Sequence, residues 1–393
     1  MSDPIVISSL ARTPMGGFQG ALSGLSATQL GAAAVRAAVE RSGVDPAVID
    51  RIYMGCVLSA GLGQAPARQA ALGAGLPQSV EATTVNKMCG SGMQAAIMAA
   101  EALAADSAEV IVAGGMESMT NAPYALPKHR GGARIGHDRI VDTMMLDGLE
   151  DAYQPGKPMG AFAEDTAQAY GFTRAAQDHY ALESLARATA AIESGAFACE
   201  IVPVEVPGRG GTTLVAQDEQ PGKAKPDKVP SLKPAFTNNG TITAATSASI
   251  SDGAAALVMT RSSVAARLGL AQQARIVATA AHAHAPAAFA TAPVFAIRKA
   301  LEKANWSVAD VDLFEVNEAF AVVAMIAMRD LVIPRDRINV NGGATALGHP
   351  IGASGARIIT TLIAALRTRG SRRGIAALCI GGGEATAIAL ELI

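Results

Sequence analysis

The sequence reads Gly43-Val-Asp-Pro-Ala-Val-Ile-Asp-Arg-Ile-Tyr-Met-Gly-Cys56 in its first half and Trp306-Ser-Val-Ala-Asp-Val-Asp-Leu-Phe-Glu-Val-Asn317 in its second. The two stretches resemble each other weakly, and similar segments follow them. Each is followed by a Gly-rich turn that opens a helix, Asn86 to Gly92 and Asn341 to His349, and then by a strand that ends in glycine. This internal repeat predicts two similar halves.

Each half carries the pattern of a sheet covered by helices. Apolar runs such as Val110 to Ala113 and Ile375 to Ile380 alternate with helical patterns. One helix is expected to begin near Ser26, whose hydroxyl can cap it while Gln29 reaches back, and to end around Gly43. The predicted fold class is α/β.

Composition favours a globular protein of two or three packed units, since half of the 393 residues are apolar and 17% are charged. A net charge of -2 with scattered cations disfavours nucleic acid and anionic membranes as partners. The longest strongly apolar helical stretch, Ala319 to Met328, is too short to cross a bilayer. The strand-like Ile5-Val-Ile7 leaves no room for a signal peptide, so a cytoplasmic location is expected.

Metal and redox-cofactor signatures are missing from the sequence. The four cysteines (Cys56, Cys89, Cys199 and Cys379) are not clustered, so reduced thiols are expected instead of disulfides or a zinc site. His282-Ala-His284 is too short to predict a metal site and is interpreted as a surface or loop pair. No dinucleotide fingerprint, phosphate-binding loop or Cys-x-x-Cys motif occurs.

The pattern changes between Met119 and about Asn239, where charged, Pro-rich and Gly-rich stretches flank one helix from about Thr173 to Gly195. This predicts an inserted loop domain, although a surface elaboration without a ligand role would have the same pattern. The predicted boundaries are 1-118 with 250-271 for the N-terminal half, 119-249 for the loop domain and 272-393 for the C-terminal half.

Cys89 precedes a helical stretch with apolar residues at Met93, Ile97 and Ala100. Free N-H groups and the dipole at a helix N-terminus stabilise a thiolate, so the pKa of Cys89 is predicted to fall. That would make it a nucleophile. Taken alone, a cysteine is more often just a small apolar core residue.

Three further polar residues are candidates for the same site. His349 lies in a turn ahead of a helix predicted for Ile358 to Leu366, where it could activate a facing thiol or merely cap the helix. Cys379 ends a buried strand before three glycines, whose N-H groups could approach an oxyanion while its thiol moves protons. Asn317 stands where a strand stops, which alone could be a helix cap.

Four motifs together resemble the signature blocks of the thiolase family: Asn86-Lys-Met-Cys89-Gly-Ser-Gly, Asn317-Glu-Ala-Phe, Gly348-His-Pro-Ile-Gly and Cys379-Ile-Gly-Gly-Gly. The resemblance runs nearly end to end and includes Met116-Glu-Ser-Met. It implies a thiolase-like duplicated α-β-α-β-α layered fold, with the inserted loop domain binding coenzyme A (CoA).

The resemblance also implies a ping-pong acyltransferase reaction. Cys89, activated by His349, would take an acyl group from one CoA thioester, and Cys379 would remove the α-proton of a second acetyl-CoA. One oxyanion site would use the N-H groups of Cys89 and Gly381, and the other would use His349 with a water held by Asn317. CoA is then substrate and product, and neither a metal nor a cofactor is expected.

By the same resemblance, eight residues would line the pantetheine and acyl channel: Leu149, Met159, Phe236, Ala244, Ala248, Ala319, Phe320 and Ile351. The CoA phosphates would lie near Lys223, Lys225 and Lys228, although these lysines could equally form a solvated charged loop. Two positions depart from the family pattern. Lys157 replaces a frequent histidine, and Ala248, flanked by Ser247 and Ser249, replaces a frequent serine, which leaves substrate length and CoA affinity open.

The expected activity is reversible condensation of two acetyl-CoA, with a broader 3-ketoacyl-CoA thiolase of fatty-acid β-oxidation as the alternative. A decarboxylating ketosynthase would lack the second catalytic thiol, and a non-catalytic acyl-CoA binder would not need all four polar residues. The resemblance further implies a dimer or a dimer of dimers, with strand edges near Ala82 to Lys87 pairing across a two-fold axis.

Overall fold

The protein is described by a computed structural model that covers residues 3-208 and 210-393. Its strands are β1 (Ile5–Arg12), β2 (Gly16–Gly17), β3 (Arg51–Gly55), β4 (Glu81–Val85), β5 (Val110–Ser118), β6 (Tyr124–Ala125), β7 (Val141–Asp142), β8 (Val204–Gly208), β9 (Gly211–Val215), β10 (Ser251–Arg261), β11 (Ala274–Ala283), β12 (Leu313–Val316), β13 (Arg373–Ile380) and β14 (Glu384–Leu392). Its α-helices are α1 (Ala27–Ser42), α2 (Pro66–Gly73), α3 (Ser91–Ala104), α4 (Met159–Tyr170), α5 (Arg174–Glu193), α6 (Glu219–Lys223), α7 (Ser262–Leu268), α8 (Ala292–Ala304), α9 (Ala321–Leu331), α10 (Ala344–Leu347) and α11 (Ser354–Thr368).

A mixed sheet runs through both halves of the molecule. In the described ranges it contains ten strands, in the order β12-β13-β14-β11-β1-β10-β5-β3-β4, with β2 paired to β10. Strand β1 joins the halves, because it pairs antiparallel with both β10 and β11. The predicted α/β class is confirmed.

The internal repeat of the sequence is also a structural repeat. A single-turn 3-10 helix precedes β3 in the first half and β12 in the second, and each of these strands pairs in parallel with the neighbour that follows the long helix of its half. Asp50 and Asp312 occupy equivalent places. Each carboxylate accepts hydrogen bonds from two consecutive backbone N-H groups where that neighbouring strand begins, at 2.7 to 3.0 Å.

Helix α1 shows how local sequence sets the element boundaries. The Ser26 hydroxyl accepts the Gln29 N-H at 3.3 Å, while the Gln29 side chain accepts the Ser26 N-H at 2.9 Å. Gly43 ends the helix with a φ of 70°, a left-handed conformation that glycine adopts without a Cβ penalty. The predicted capping box and C-cap are therefore both confirmed.

The helices α3 and α11 form the innermost layer. They pack against each other and contact strands of both halves, α3 reaching β5 and β14 while α11 reaches β10 and β13. Helices α1 and α2 pack on the first half, and α8 on the second. Because the turns that contain Cys89 (residues 86-91) and His349 (residues 349-352) immediately precede the bodies of α3 and α11, the layering brings these two turns together.

The chain between β5 and β10 adds no strand to the main sheet in the part that the structure describes. It contains two small hairpins, β6-β7 and β8-β9, and the helices α4, α5 and α6. Thr173 caps α5 by accepting the Ala176 N-H at 3.2 Å. The three-part domain boundaries stay a prediction.

The strongly apolar segment of the second half forms the buried helix α9. Ala321, Val322 and Val323 are almost completely buried, and the helix packs against α8. Among the described helices, none combines the length and the hydropathy that a membrane crossing requires.

Candidate active site

Cys89 lies in a tight turn, residues 86-91, that is called the Cys89 turn below. Met88 has a φ of 47°, which is uncommon for a residue other than glycine and marks local strain. The Asn86 side chain accepts the Met88 N-H at 3.0 Å, and the Ser91 hydroxyl accepts the Lys87 N-H at 2.8 Å. These bonds hold the thiol at the edge of a cavity that opens before α3.

The turn formed by residues 349-352, called the His349 turn, packs backbone against backbone on the start of α3. A Cβ added to Gly55 would lie 2.6 Å from the Gly92 nitrogen and 2.7 Å from the Gly352 oxygen. A Cβ on Gly92 would lie 3.0 Å from the same oxygen, and one on Gly115 would collide with it. Glycines therefore allow the His349 turn to lie directly against the start of α3, next to the Cys89 turn.

A cavity of about 440 Å³ collects most of the predicted site residues. Cys89, His349, Cys379 and Gly381 line it. All eight residues predicted for the pantetheine and acyl channel line it too: Leu149, Met159, Phe236, Ala244, Ala248, Ala319, Phe320 and Ile351. The folded chain therefore joins residues from both halves and from the segment between β5 and β10 in one space.

The prediction that the pKa of Cys89 falls was wrong. Burial raises the pKa of this thiol to about 11, and the negative charge of Glu117 adds to the increase, although the N-H groups of Gly381 and of Cys89 itself lower it. Desolvation outweighs the helix N-terminus because the surrounding walls are largely apolar. Cys89 therefore rests as a thiol and requires a base.

His349 offers a free imidazole nitrogen for that role. Its Nδ1 lies 2.6 Å from the Ser354 hydroxyl oxygen, and this hydroxyl donates to the Pro350 carbonyl at 3.0 Å. The hydrogen-bond pattern thus assigns the proton to Nδ1 and leaves Nε2 as the acceptor. Burial, together with the positive charge of Arg357, lowers the pKa of His349 to about 3, so the imidazole is neutral at neutral pH.

Asn317 lies behind the imidazole and not in the cavity wall. It is 1% exposed, and its Nδ2 is 3.4 Å from Nδ1 and 3.5 Å from Nε2 of His349. Its Oδ1 faces the Arg357 guanidinium at 3.4 Å. The amide nitrogen therefore points to the imidazole side.

Cys379 supplies a second thiol at the end of β13. It is 1% exposed, and burial raises its pKa well above the ordinary value, with a further increase from the charge of Cys89. Gly381 follows it and directs its N-H at the Cys89 sulfur. Two protonated thiols thus border the same cavity.

Lys223, Lys225 and Lys228 line a second cavity of about 370 Å³. Ala244, Ser247 and Ser249 line both cavities, so the second one adjoins the first. Lys223 is ion-paired with Glu219. The three lysines therefore lie beside the channel, and their contact with phosphate remains a prediction.

The two departures from the family pattern differ in position. Lys157 is absent from the lining of the first cavity; its ammonium bonds to Asp165 at 3.0 Å and lies 3.9 Å from the centre of the Phe162 ring. Ala248 lines the cavity, and its N-H donates to the Ala319 carbonyl at 2.9 Å. The hydroxyl that a serine at position 248 would carry is therefore missing from the wall, which Ser247 and Ser249 flank.

Sequence reasoning missed several lining residues: Met119, Met145, Gly148, Pro158, Gly160, Ala235, Ile250 and Phe289. Gly148, Pro158, Gly160 and Ala235 stand next to predicted lining residues, so adjacency was the available signal for these four. Phe289 is different because it belongs to a 3-10 segment, Pro286–Thr291, without any motif. Its ring packs 6.2 Å from that of Phe320, a contact that only the folded chain creates.

The His282 and His284 pair lies outside the cavity. Nε2 of His282 is 3.4 Å from Nδ1 of His284, and His284 also contacts the Ala288 carbonyl at 2.9 Å. Within the described ranges, no group of three or more His, Cys, Asp or Glu side chains is arranged to hold a metal ion.

Comparison with known proteins gives the class. Residues 5-263 match the family described as "Thiolase, N-terminal domain", and residues 270-392 match "Thiolase, C-terminal domain". The chain therefore belongs to the thiolase family and is an acyltransferase.

Relatives and solved structures make the comparison more specific. The chain is 50% identical over 392 residues to "Acetyl-CoA acetyltransferase 2" of Arabidopsis thaliana, covering 99% of this chain and 97% of that one. It is 47% identical to "Acetyl-CoA acetyltransferase" of Schizosaccharomyces pombe, with 99% of each chain covered. The Acat5 thiolase of Ascaris suum, solved in complex with coenzyme A, superimposes with a TM-score of 0.94 at 40% identity, over 99% of this chain and 100% of that one. The acetyl-CoA acetyltransferase of Bacillus anthracis gives a TM-score of 0.97 at 40% identity, over 100% and 99% of the chains, so the thiolase fold is confirmed.

Proposed function

We propose that this thiolase catalyses the reversible condensation of two acetyl-CoA molecules to acetoacetyl-CoA and CoA. The observation that carries the proposal is the presence of two thiols and one neutral imidazole, Cys89, Cys379 and His349, on a single cavity. A decarboxylating ketosynthase does not need the second thiol, and a binding protein needs neither thiol. Full-length relatives named acetyl-CoA acetyltransferase support the acetyl group as substrate.

In the first half-reaction, Nε2 of His349 takes the Cys89 proton while the sulfur attacks the thioester carbonyl of acetyl-CoA. The tetrahedral oxyanion collapses, the bond to the CoA sulfur breaks, and acetyl-Cys89 remains. Cys379 gives its proton to the departing CoA sulfur; its raised pKa keeps this thiol protonated until that step. The imidazolium and the Cys379 thiolate form together and offset each other's charge.

In the second half-reaction, the Cys379 thiolate removes the α-proton of a second acetyl-CoA. The carbanion attacks the acetyl-Cys89 carbonyl, a carbon-carbon bond forms, and the Cys89 sulfur leaves. It recovers its proton from the His349 imidazolium. All three groups return to their starting protonation states, and thiolysis follows the same path in reverse.

Each half-reaction places negative charge on a thioester oxygen. The N-H groups of Cys89 and Gly381 already converge on the Cys89 sulfur, which supports a first oxyanion site beside it. Asn317, with its amide nitrogen toward His349, supports a second site that uses the imidazole and a bound water. CoA is substrate and product in this cycle, and the residues require no metal or redox cofactor.

We also propose that the pantetheine arm of CoA occupies the first cavity and that the CoA phosphates approach Lys223, Lys225 and Lys228 in the second. The shared wall of Ala244, Ser247 and Ser249 supports a continuous path. The solved thiolase in complex with coenzyme A supports CoA as the ligand.

A dimer or a dimer of dimers is proposed on the basis of β4. This strand lies at the edge of the main sheet, where unpaired backbone groups can pair with a second copy. A monomeric mass by light scattering would contradict it. The free state of all four cysteines, two of them in the site, supports a reducing compartment such as the cytoplasm.

The assigned histidine tautomer gives a first prediction. Ser354→Ala removes the acceptor of the Nδ1 proton, so a larger fraction of His349 carries its proton on Nε2 and cannot take the proton of Cys89. We expect acetylation of Cys89 to slow by about 10-fold, measured by rapid-quench mass spectrometry.

Thr368→Ala is the matched control, because its hydroxyl makes the same bond to the carbonyl four residues earlier at 2.9 Å, at the other end of α11. Equal slowing in both variants would show that Ser354 acts only through the helix.

The proposed function is tested by mixing the reduced wild-type protein with acetyl-CoA and measuring its intact mass, followed by peptide mapping. One added acetyl group on Cys89, together with formation of acetoacetyl-CoA, is expected. The absence of an adduct, with acetoacetyl-CoA and CoA also left unreacted, would remove the proposal.

The rates of thiolysis for substrates of different chain length distinguish a short-chain thiolase from a broader 3-ketoacyl-CoA thiolase. The rings of Phe236, Phe289 and Phe320 crowd the cavity, so each added methylene should be disfavoured. Thiolysis of 3-ketohexanoyl-CoA should be about 10-fold slower than that of acetoacetyl-CoA. Equal or faster cleavage of the longer substrate would favour a degradative 3-ketoacyl-CoA thiolase.

A further inference from the structure

Glu117 is a fully buried carboxylate at the end of β5, outside the reaction cycle described above. One of its oxygens accepts the N-H of Gly352 at 2.8 Å and that of Val57 at 3.0 Å. The other accepts the N-H of Leu58 at 3.1 Å and faces the Cys56 thiol at 3.8 Å. A single side chain thus joins the end of β3 in one half to the His349 turn in the other.

The segments that Glu117 joins both support the cavity. Leu58 and Ile351 are 4% and 1% exposed and belong to the apolar cluster that packs against Cys89. A Cβ on Gly352 would lie 2.6 Å from the Glu117 carboxylate, so the turn approaches as closely as backbone allows. The carboxylate therefore fixes the position of the His349 turn relative to the Cys89 turn.

We propose that Glu117 is a positioning residue of the acyl-transfer reaction, whose ionised carboxylate holds the His349 turn against the end of β3 and thereby aligns His349 with Cys89. This inference rests on the proposed function, because it assigns His349 the role of base. All of its partners are hydrogen-bond donors. A protonated carboxyl would direct its own O-H at a donor, so only the ionised form satisfies the whole set.

Protonation of Glu117 should change the rate of Cys89 acetylation near neutral pH. Burial raises the pKa of Glu117 to about 7, although the three backbone N-H groups lower it. Below that pH the protonated fraction of Glu117 increases and its contacts to the His349 turn weaken. Acetylation of Cys89 should therefore slow.

The other titratable groups near Glu117 do not account for a change in rate near neutral pH. Cys56 and Cys89 have raised thiol pKa values, and that of His349 is lowered to about 3. Asp252, on the neighbouring strand β10, pairs with Ser118 and bonds to the Thr120 N-H at 3.0 Å, so it lies on the opposite face of the sheet.

The experiment compares wild type, Glu117→Gln and Glu117→Asp by the rate of Cys89 acetylation, measured by mass spectrometry between about pH 6 and about pH 8.5. The wild-type rate should fall about 10-fold toward the acid end. Glu117→Gln should be about 10-fold slower at the alkaline end and should have no such acid limb, because an amide does not titrate. Glu117→Asp keeps a carboxylate and should keep an acid limb, at an intermediate rate.

Asp50→Asn is the matched control. Asp50 makes the same kind of carboxylate contact to two backbone N-H groups between the same two strands, β3 and β5, but at their opposite end. It should change the acetylation rate by less than about 2-fold and leave the acid limb in place.

Two outcomes would overturn the proposal: a wild-type rate that is flat across this pH range, or an acid limb that persists unchanged in Glu117→Gln. Alkylation of Cys89 by iodoacetamide, followed by peptide mapping, needs no substrate and separates this test from the proposed function. Removing the charge of Glu117 should move the pH midpoint of alkylation to lower pH, even if acetyl-CoA gave no adduct. An unchanged midpoint would count against the contact between Glu117 and the site.

Discussion

Replacing Cys89 with alanine is expected to abolish the acetyl adduct and to lower the rate of acetoacetyl-CoA formation by about 10,000-fold or more. The physical reason is that no other thiol can receive the acetyl group in the same geometry. Cys379 lines the same cavity but is only 1% exposed, and the backbone N-H groups of Cys89 and Gly381 lower the pKa of the Cys89 thiol. The measurement is intact mass after brief mixing with acetyl-CoA, together with the change in thioester absorbance during turnover.

Cys199→Ala is the matched control for this change. Cys199 is the exposed thiol of the chain and does not line the cavity. Its loss should leave both adduct and turnover at wild-type levels. An adduct that survives Cys89→Ala but disappears in Cys199→Ala would place the acyl group on the surface and remove the proposed nucleophile.

Cys379→Ala should separate the two half-reactions. Without this thiol, no group is placed to remove the α-proton of the second acetyl-CoA, so condensation and thiolysis should fall by about 1,000-fold. Acetylation of Cys89 should persist but slow by about 10-fold, because the departing CoA sulfur loses its proton donor. The acetyl-enzyme should therefore accumulate, which intact mass can show while acetoacetyl-CoA formation is followed in parallel.

Exchange of the α-protons of acetyl-CoA in deuterated buffer gives an independent reading of Cys379→Ala. The wild type should incorporate deuterium, whereas the variant should not. Exchange at the wild-type rate in the variant would assign the base to another residue. Thermal unfolding completes the comparison, since truncating one buried thiol should cost only about 1 kcal/mol.

Local sequence predicted the parts of the fold whose causes are local. Ser26, Gln29 and Gly43 set the ends of α1 through contacts within a few residues, and Thr173 does the same for α5. The repeat located the Cys89 and His349 turns because the same strand-turn-helix pattern occurs twice. The lining of the cavity was predicted through the family resemblance, and all eight of those residues lie there.

The properties that depend on distant parts of the chain could not be predicted in this way. Burial is the main cause of the raised thiol pKa of Cys89. The N-H of Gly381 lowers this pKa, and Glu117, 28 positions later in the chain (117 minus 89), adds a smaller increase. Phe289 reaches the cavity through packing against Phe320. The Ser354 hydroxyl accepts the Nδ1 proton of His349 and so sets the tautomer of the imidazole. No feature of the motif around His349 predicted this role for Ser354.

The glycine contact between the two turns also limits how the enzyme can move. With Gly55, Gly92 and Gly115 pressed against the Gly352 carbonyl, the nucleophile and its base are carried by one close-packed body that spans both halves. A hinge between the halves would have to break this contact, so substrate entry cannot rely on the halves opening. Access to the site then depends on the channel walls outside this close-packed body, among them the π-helical segment Met145–Leu149, three residues of which line the cavity.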